Sequence, residues 1–250
     1  MAGEIALEYR RSTGSTFRLC PGQEGTSISR LALLMGEFAG AIGCAFPLVA
    51  RPATTIVSPT AAANRQFSVL YKGFRISSHT ISCFSASRET WVNTEIHLEV
   101  KVAFLTAYSF RHRSEERWRA GWLVSLNSDT AEDGEPFHVE ASATPEGFRG
   151  VSKGGPFIAS ADTLTSNSIW TTAMLERATL VDAQRGGIIG ISAHKVGDEP
   201  ISIADSQVQT TRYTFITPYY TGSVWYDEAN FWVRGEFERD GSSVEYQFDM

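Results

Sequence analysis

Cysteine is scarce: the 250 residues contain three, Cys20, Cys44 and Cys83, far apart in the chain. A sparse, odd count argues against a disulfide scaffold and fits a reducing compartment. No C-x-x-C pair occurs, which argues against a zinc site built on cysteines. Basic charge is also short. Twenty-two Lys and Arg stand against 28 Asp and Glu, a formal net charge of -6, so no overall basic field exists to hold nucleic acid non-specifically. Long apolar runs are missing. The longest, 36–50, is broken by Glu37, three glycines and Pro47 and falls short of the ~20 residues of a membrane helix. The first residues carry Glu4, Glu8, Arg10 and Arg11 rather than the apolar core of a secretory signal. Asn-x-Ser/Thr sequons, the P-loop string and G-x-G-x-x-G are absent too. A soluble intracellular chain is the expectation.

What is present is core material and turns. Hydrophobic residues make up 42%, aromatics 12%, and there are 21 glycines and 9 prolines. The dominant period is two. Ile96, Leu98, Val100, Val102 and Phe104 alternate with Glu95, His97, Glu99 and Lys101, which gives a strand one dry and one wet face. Strands are also expected over 66–76, 79–85, 118–126 (Trp122, Val124 and Leu126 on one side), 187–193, 212–218 and 231–239. Asp240-Gly241 predicts a tight hairpin to a last strand over 244–248. The stretch 142–168, rich in Gly, Ser, Thr and Pro, predicts a long surface excursion with at most short strands. Helical spacing occurs where Thr26 or Ser27 can cap a run through Ile28, Leu31, Leu34 and Phe38, and a second short helix is expected at 171–179. These features predict an all-β chain, a single domain over 1–250: a sandwich or barrel, of which a two-sheet antiparallel sandwich with one or two short helices is the expectation.

Candidate chemistry is thin. Gly150-Val151-Ser152-Lys153-Gly154 matches G-x-S-x-G, but Gly155-Pro156 follows where a helix should start, and no apolar strand precedes it. The string reads as a loop. His79 and Cys83 share a strand face, yet four residues of strand put them ~13 Å apart, too far to pair. His97, between Glu95 and Glu99, could meet a metal, though a solvated charge stripe accounts for the same pattern. No catalytic residue, metal or cofactor is expected. The basic cluster Arg111, Arg113, Arg117, Trp118 and Arg119 is placed in a connection between strands, where it could touch RNA or a neighbouring subunit. Tyr219, Tyr220, Trp225 and Tyr226 are candidate interface aromatics.

Three segments carry a family resemblance. The capped run 26–37 leads into Phe38-Ala39-Gly40-Ala41-Ile42-Gly43-Cys44-Ala45-Phe46-Pro47-Leu48-Val49. Tyr213-Thr214-Phe215-Ile216-Thr217-Pro218-Tyr219-Tyr220 and Phe231-Trp232-Val233-Arg234-Gly235-Glu236-Phe237 follow later. In this order they resemble coat proteins of picorna-like viruses, the plant secoviruses above all. The resemblance implies a viral jelly roll, a structural and non-enzymatic subunit of an icosahedral shell around RNA. Its partners would be other copies or related coat subunits, with genomic RNA at the inner surface and no membrane. It would be found in the virion and in host cytoplasm during assembly. Ala39 stands where the family's aromatic–Arg–Gly step has arginine. The rival expectations are a nucleic-acid-binding movement-type protein and a lectin-like sandwich.

Overall fold

Alternating side chains become long antiparallel strands. A computed structural model describes residues 64–102, 105–239 and 241–249, all within a unit spanning Thr54–Met250. β1 (Arg65–Tyr71), β2 (Phe74–Ala86), β3 (Glu89–Val102), β4 (Leu105–Arg119), β5 (Trp122–Glu132), β6 (Glu135–Thr144), β7 (Gly147–Ser152) and β8 (Gly155–Ala159) form one meander. β9 (Thr179–Val181) and β10 (Ile188–Gly190) pair as a small separate sheet, and Val181 also bridges to Thr165 in parallel. β11 (Ser192–Ile203), β12 (Ser206–Ile216), β13 (Thr221–Asp227), β14 (Trp232–Arg239) and β15 (Ser242–Asp249) form a second meander. β15 pairs with β1, Phe248 opposite Phe67, and fuses both meanders into one 13-stranded antiparallel sheet.

Two-residue turns set much of this register. Lys72-Gly73, Ala120-Gly121 and Asp133-Gly134 each hold both central residues at positive φ, the turn whose twist matches that of the flanking strands. Ala120-Gly121 divides the strand expected over 118–126. Trp118 lies one residue before the end of β4 and Trp122 opens β5, where Leu123 and Leu126 are buried and Trp122 is half exposed. Lys72-Gly73 likewise divides 66–76. The hairpin expected at Asp240-Gly241 is present, with Arg239 opposite Ser242.

The sheet curls around residues 160–191. That inner segment contains 3₁₀ turns at Ser168–Trp170 and Thr172–Glu176 in place of the helix expected at 171–179. Leu164, Ile169, Trp170, Met174, Leu180 and Ile189 share one hydrophobic core with Phe67, Val92, Trp118, Phe148, Phe215 and Trp232 from both meanders. The curl also brings Glu132 of β5 within 3.2 Å of Arg239 of β14. Closure is incomplete: the edge strands β8 and β11 have no pairing with each other among the described residues. Pro156 blunts β8, and Pro200 with a register shift at Lys195/Gly197 blunts β11.

The all-β expectation holds, with a large antiparallel sheet. The connectivity of a jelly roll does not appear. In the 13-stranded sheet every bonded neighbour is consecutive in sequence except β15 and β1, whereas a jelly roll needs Greek-key crossovers between two sheets. The stretch 142–168, expected as an excursion with at most short strands, carries the end of β6 and the short strands β7 and β8. The helix expected at 26–37 and the strand after it lie outside the described residues.

Candidate ligand site on the inner face of the sheet

β4 shows how the site is made. Arg111, Arg113 and Glu115 are exposed, while His112, Ser114, Glu116 and Trp118 are buried. Each inward residue heads a row across the sheet. Phe67, His79, Ile96, His112 and Thr130 align across β1 to β5. Ile81, Thr94, Ser114 and Ser128 form the next row, and Cys83, Val92, Glu116 and Leu126 the one after. A polar stripe is thereby buried against the inner segment.

Most of that stripe is satisfied. Asn167 of the inner segment places Nδ2 2.8 Å from His112 Nε2 and 2.7 Å from Ser114 Oγ. His112 Nδ1 lies 2.8 Å from Thr130 Oγ1. The amide donates to Nε2, so the imidazole is neutral and carries its proton on Nδ1, which donates to Thr130. Burial holds His112 down to about 4. The Trp118 indole N–H donates to Glu116 Oε2 at 3.1 Å, and the Thr165 hydroxyl donates to Oε1. Burial nevertheless pushes Glu116 up to about 7, against those two bonds. Ser128 Oγ donates to the Ala183 carbonyl at 2.6 Å.

His79 and Thr94 break the pattern. Both are buried, yet neither ring nitrogen of His79 nor Oγ1 of Thr94 has a hydrogen-bond partner. Thr94 sits diagonally across from His79, because Ile96 is the direct partner of His79 on β3. Aromatic rings wall the imidazole: Trp232 at 5.5 Å, Tyr246 at 5.8 Å and Phe67 at 6.1 Å between centroids. Burial, with the nearby His112 adding to it, holds His79 down to about 3. A buried polar group left unpaired costs about 1–3 kcal/mol, so this pair is a costly feature of the sheet's inner face.

The other candidates fall elsewhere. Arg111, Arg113, Arg117 and Arg119 lie along a strand, not in a connection. Arg113 pairs with Glu95 at 3.3 Å, and Arg117 and Arg119 both pair with Glu89. Trp118 points away from them into the core. Trp225 and Tyr226 are buried within the fold, while Tyr219 is exposed under the Arg185 guanidinium. Trp225 lies between the guanidinium groups of Arg212 and Arg234 and donates to Glu199 at 2.6 Å. The Tyr226 hydroxyl donates to the Ile169 carbonyl at 2.8 Å. Ser152 ends β7 at a hairpin, and its hydroxyl contacts the Gly155 carbonyl at 3.4 Å. Cys83 is buried, and its thiol is pushed up to about 11. Among the described residues no three His, Cys, Asp or Glu side chains gather as metal ligands.

A family model described as "Domain of unknown function (DUF6134)" matches residues 67–249. No curated protein matches the chain. A solved structure titled as a beta-barrel-like protein of domain of unknown function DUF1849, from Brucella abortus, is similar at TM-score 0.55 and 9% identity. The likeness covers 74% of this chain and 94% of that one, and at such identity it speaks for the fold alone. These findings overturn the resemblance to viral coat proteins. Short aromatic motifs at strand ends suggested it, and such motifs recur wherever strands leave a core.

Proposed function

The chain belongs to the DUF6134 family, and within this fold we propose that it is a non-catalytic binding module whose ligand sits on the inner face of the curled sheet. One observation carries the reading: His79 and Thr94 present unpaired hydrogen-bonding atoms in a buried, aromatic-walled place. A core needs neither group there, since phenylalanine and valine fill similar volumes without the penalty.

The absence of catalysis is supported by the state of the reactive groups. Cys83 is held as a thiol, which is a poor nucleophile. The Ser152 hydroxyl faces a carbonyl rather than a base. His112 spends both ring nitrogens on Thr130 and Asn167. The outer arginines lie beside glutamates, which weakens the nucleic-acid alternative.

A thermal-shift screen of small molecules against wild type and His79→Phe tests the reading. Ligands should raise the melting temperature of wild type and leave the variant unmoved. Equal shifts in both proteins, or no shift in wild type, would count against an inner-face site.

A further inference from the structure

We infer that the ligand at His79 is a small uncharged molecule with an apolar body and a single hydroxyl or amide group. This rests on the inner-face site proposed above and adds its chemical class.

The open hydrogen-bonding positions set the polar group. A neutral imidazole offers one donor and one acceptor, and the Thr94 hydroxyl offers one of each. A hydroxyl or primary amide both donates and accepts, so it can meet both. A carboxylate can bond only a ring N–H and an ammonium only a bare ring nitrogen, whereas a hydroxyl or amide suits whichever nitrogen it faces.

Charge points the same way. Glu116 is held by Trp118 and Thr165. Glu132 is held by Arg185, Arg239 and Tyr108. On the inner segment, Asp182 Oδ1 accepts from the backbone N–H groups of Gln184 and Arg185 at 2.8 and 3.2 Å. Arg65 lies over the rings of Phe231 and Phe248 at 4.5 and 4.7 Å, with Phe67 between Phe248 and His79. His79 and His112 are neutral. A charged head beside His79 would be buried without a counter-ion, which costs several kcal/mol. Phe67 stacked on Trp232 at 4.0 Å, with Tyr246 edge-on to His79, suits the apolar body.

The test uses four molecules of one shape: benzyl alcohol, benzamide, benzoate and benzylamine, titrated at neutral pH into the full chain with ¹⁵N-histidine labelling. Benzyl alcohol or benzamide should bind saturably and shift the His79 ring signals. Benzoate and benzylamine should bind at least about tenfold more weakly. His79→Phe and Thr94→Val should each abolish the neutral ligands' binding while keeping the wild-type circular dichroism. Benzoate or benzylamine binding as tightly, and still lost in both variants, would overturn the chemical class and leave the site standing. Saturation without movement of the His79 signals, or ring nitrogens bonded to a bound water only and unmoved by all four molecules, would overturn site and class together.

Discussion

The Asn167 side-chain amide ties the inner segment to the sheet through His112, with Nδ2 2.8 Å from Nε2. The same nitrogen stands 2.7 Å from Ser114 Oγ. Asn167→Ala would strand two buried atoms at once, and the expected loss is about 2–4 kcal/mol. Urea denaturation measures it. A loss under about 1 kcal/mol would mean that water replaces the amide. Nitrogen-15 spectra should show His112 protonated on Nδ1 in wild type.

Three buried groups make stability depend on pH, with opposite signs. His79 and His112 are depressed from 6.5 to about 3 and about 4. The unfolded chain therefore binds more protons below 6.5, and stability falls as pH drops from there. Glu116 is raised from 4.5 to about 7, so the folded chain binds more protons between those values. Its contribution is a penalty that grows as pH rises from 4.5 to about 7 and is constant above. Glu116→Gln should remove the penalty, because a Gln amide can accept from Trp118 and donate to Thr165. Denaturation at pH 5 and pH 8 should show the variant gaining more on wild type at pH 8 than at pH 5. Equal differences at the two pH values would mean that Glu116 does not titrate in this range.

Arg88 sits at φ 74 and Ser87 at φ 50 in the β2–β3 turn. The turns Lys72-Gly73, Ala120-Gly121 and Asp133-Gly134 put glycine second. An L-residue in that region costs roughly 1–2 kcal/mol, so Arg88→Gly should stabilise by about 0.5–1 kcal/mol after the entropy glycine adds to the unfolded chain. A thermal melt decides it, and a lower melting temperature would show that the Arg88 side chain contributes more than its backbone costs.

The strands with an apolar inner face were readable, as Ile96 to Val100 shows. β4 was not, because its inward residues His112, Ser114 and Glu116 are as polar as the outward arginines, so the stretch has no hydrophobic alternation. Its four arginines then looked like an exposed loop. The inner segment was hidden for the same reason: Thr163, Thr165 and Asn167 are buried by partners distant in sequence. The pairing of β15 with β1 joins residues 181 positions apart at Ser68 and Asp249, and no local pattern reports it. His79 was legible only as one side of a failed cysteine pair, since the aromatic wall around it comes from β1, β14 and β15.

Glu132 gathers the far end of the inner face. It pairs with Arg185 of the inner segment and, at 3.2 Å, with Arg239 of β14, and it accepts from the Tyr108 hydroxyl at 3.2 Å. Burial works against its charge, yet the Arg185 and Arg239 guanidinium groups outweigh that and hold its carboxyl below the ordinary range. A depressed carboxylate stabilises the fold above its unfolded pKa, and the contribution fades as pH falls through the folded value. Glu132→Gln should cost about 1–2 kcal/mol at neutral pH, less than a fully buried pair because the site is partly solvated. The deficit should shrink in acid, where wild type loses the same charge. Hydrogen exchange should localise the loosening to β9, β10 and the turn at 182–187, which Arg185 anchors, before the β2–β5 amides respond. Uniform loosening of the whole sheet, or a deficit unchanged in acid, would mean that Glu132 acts by packing rather than by holding the inner segment through charge.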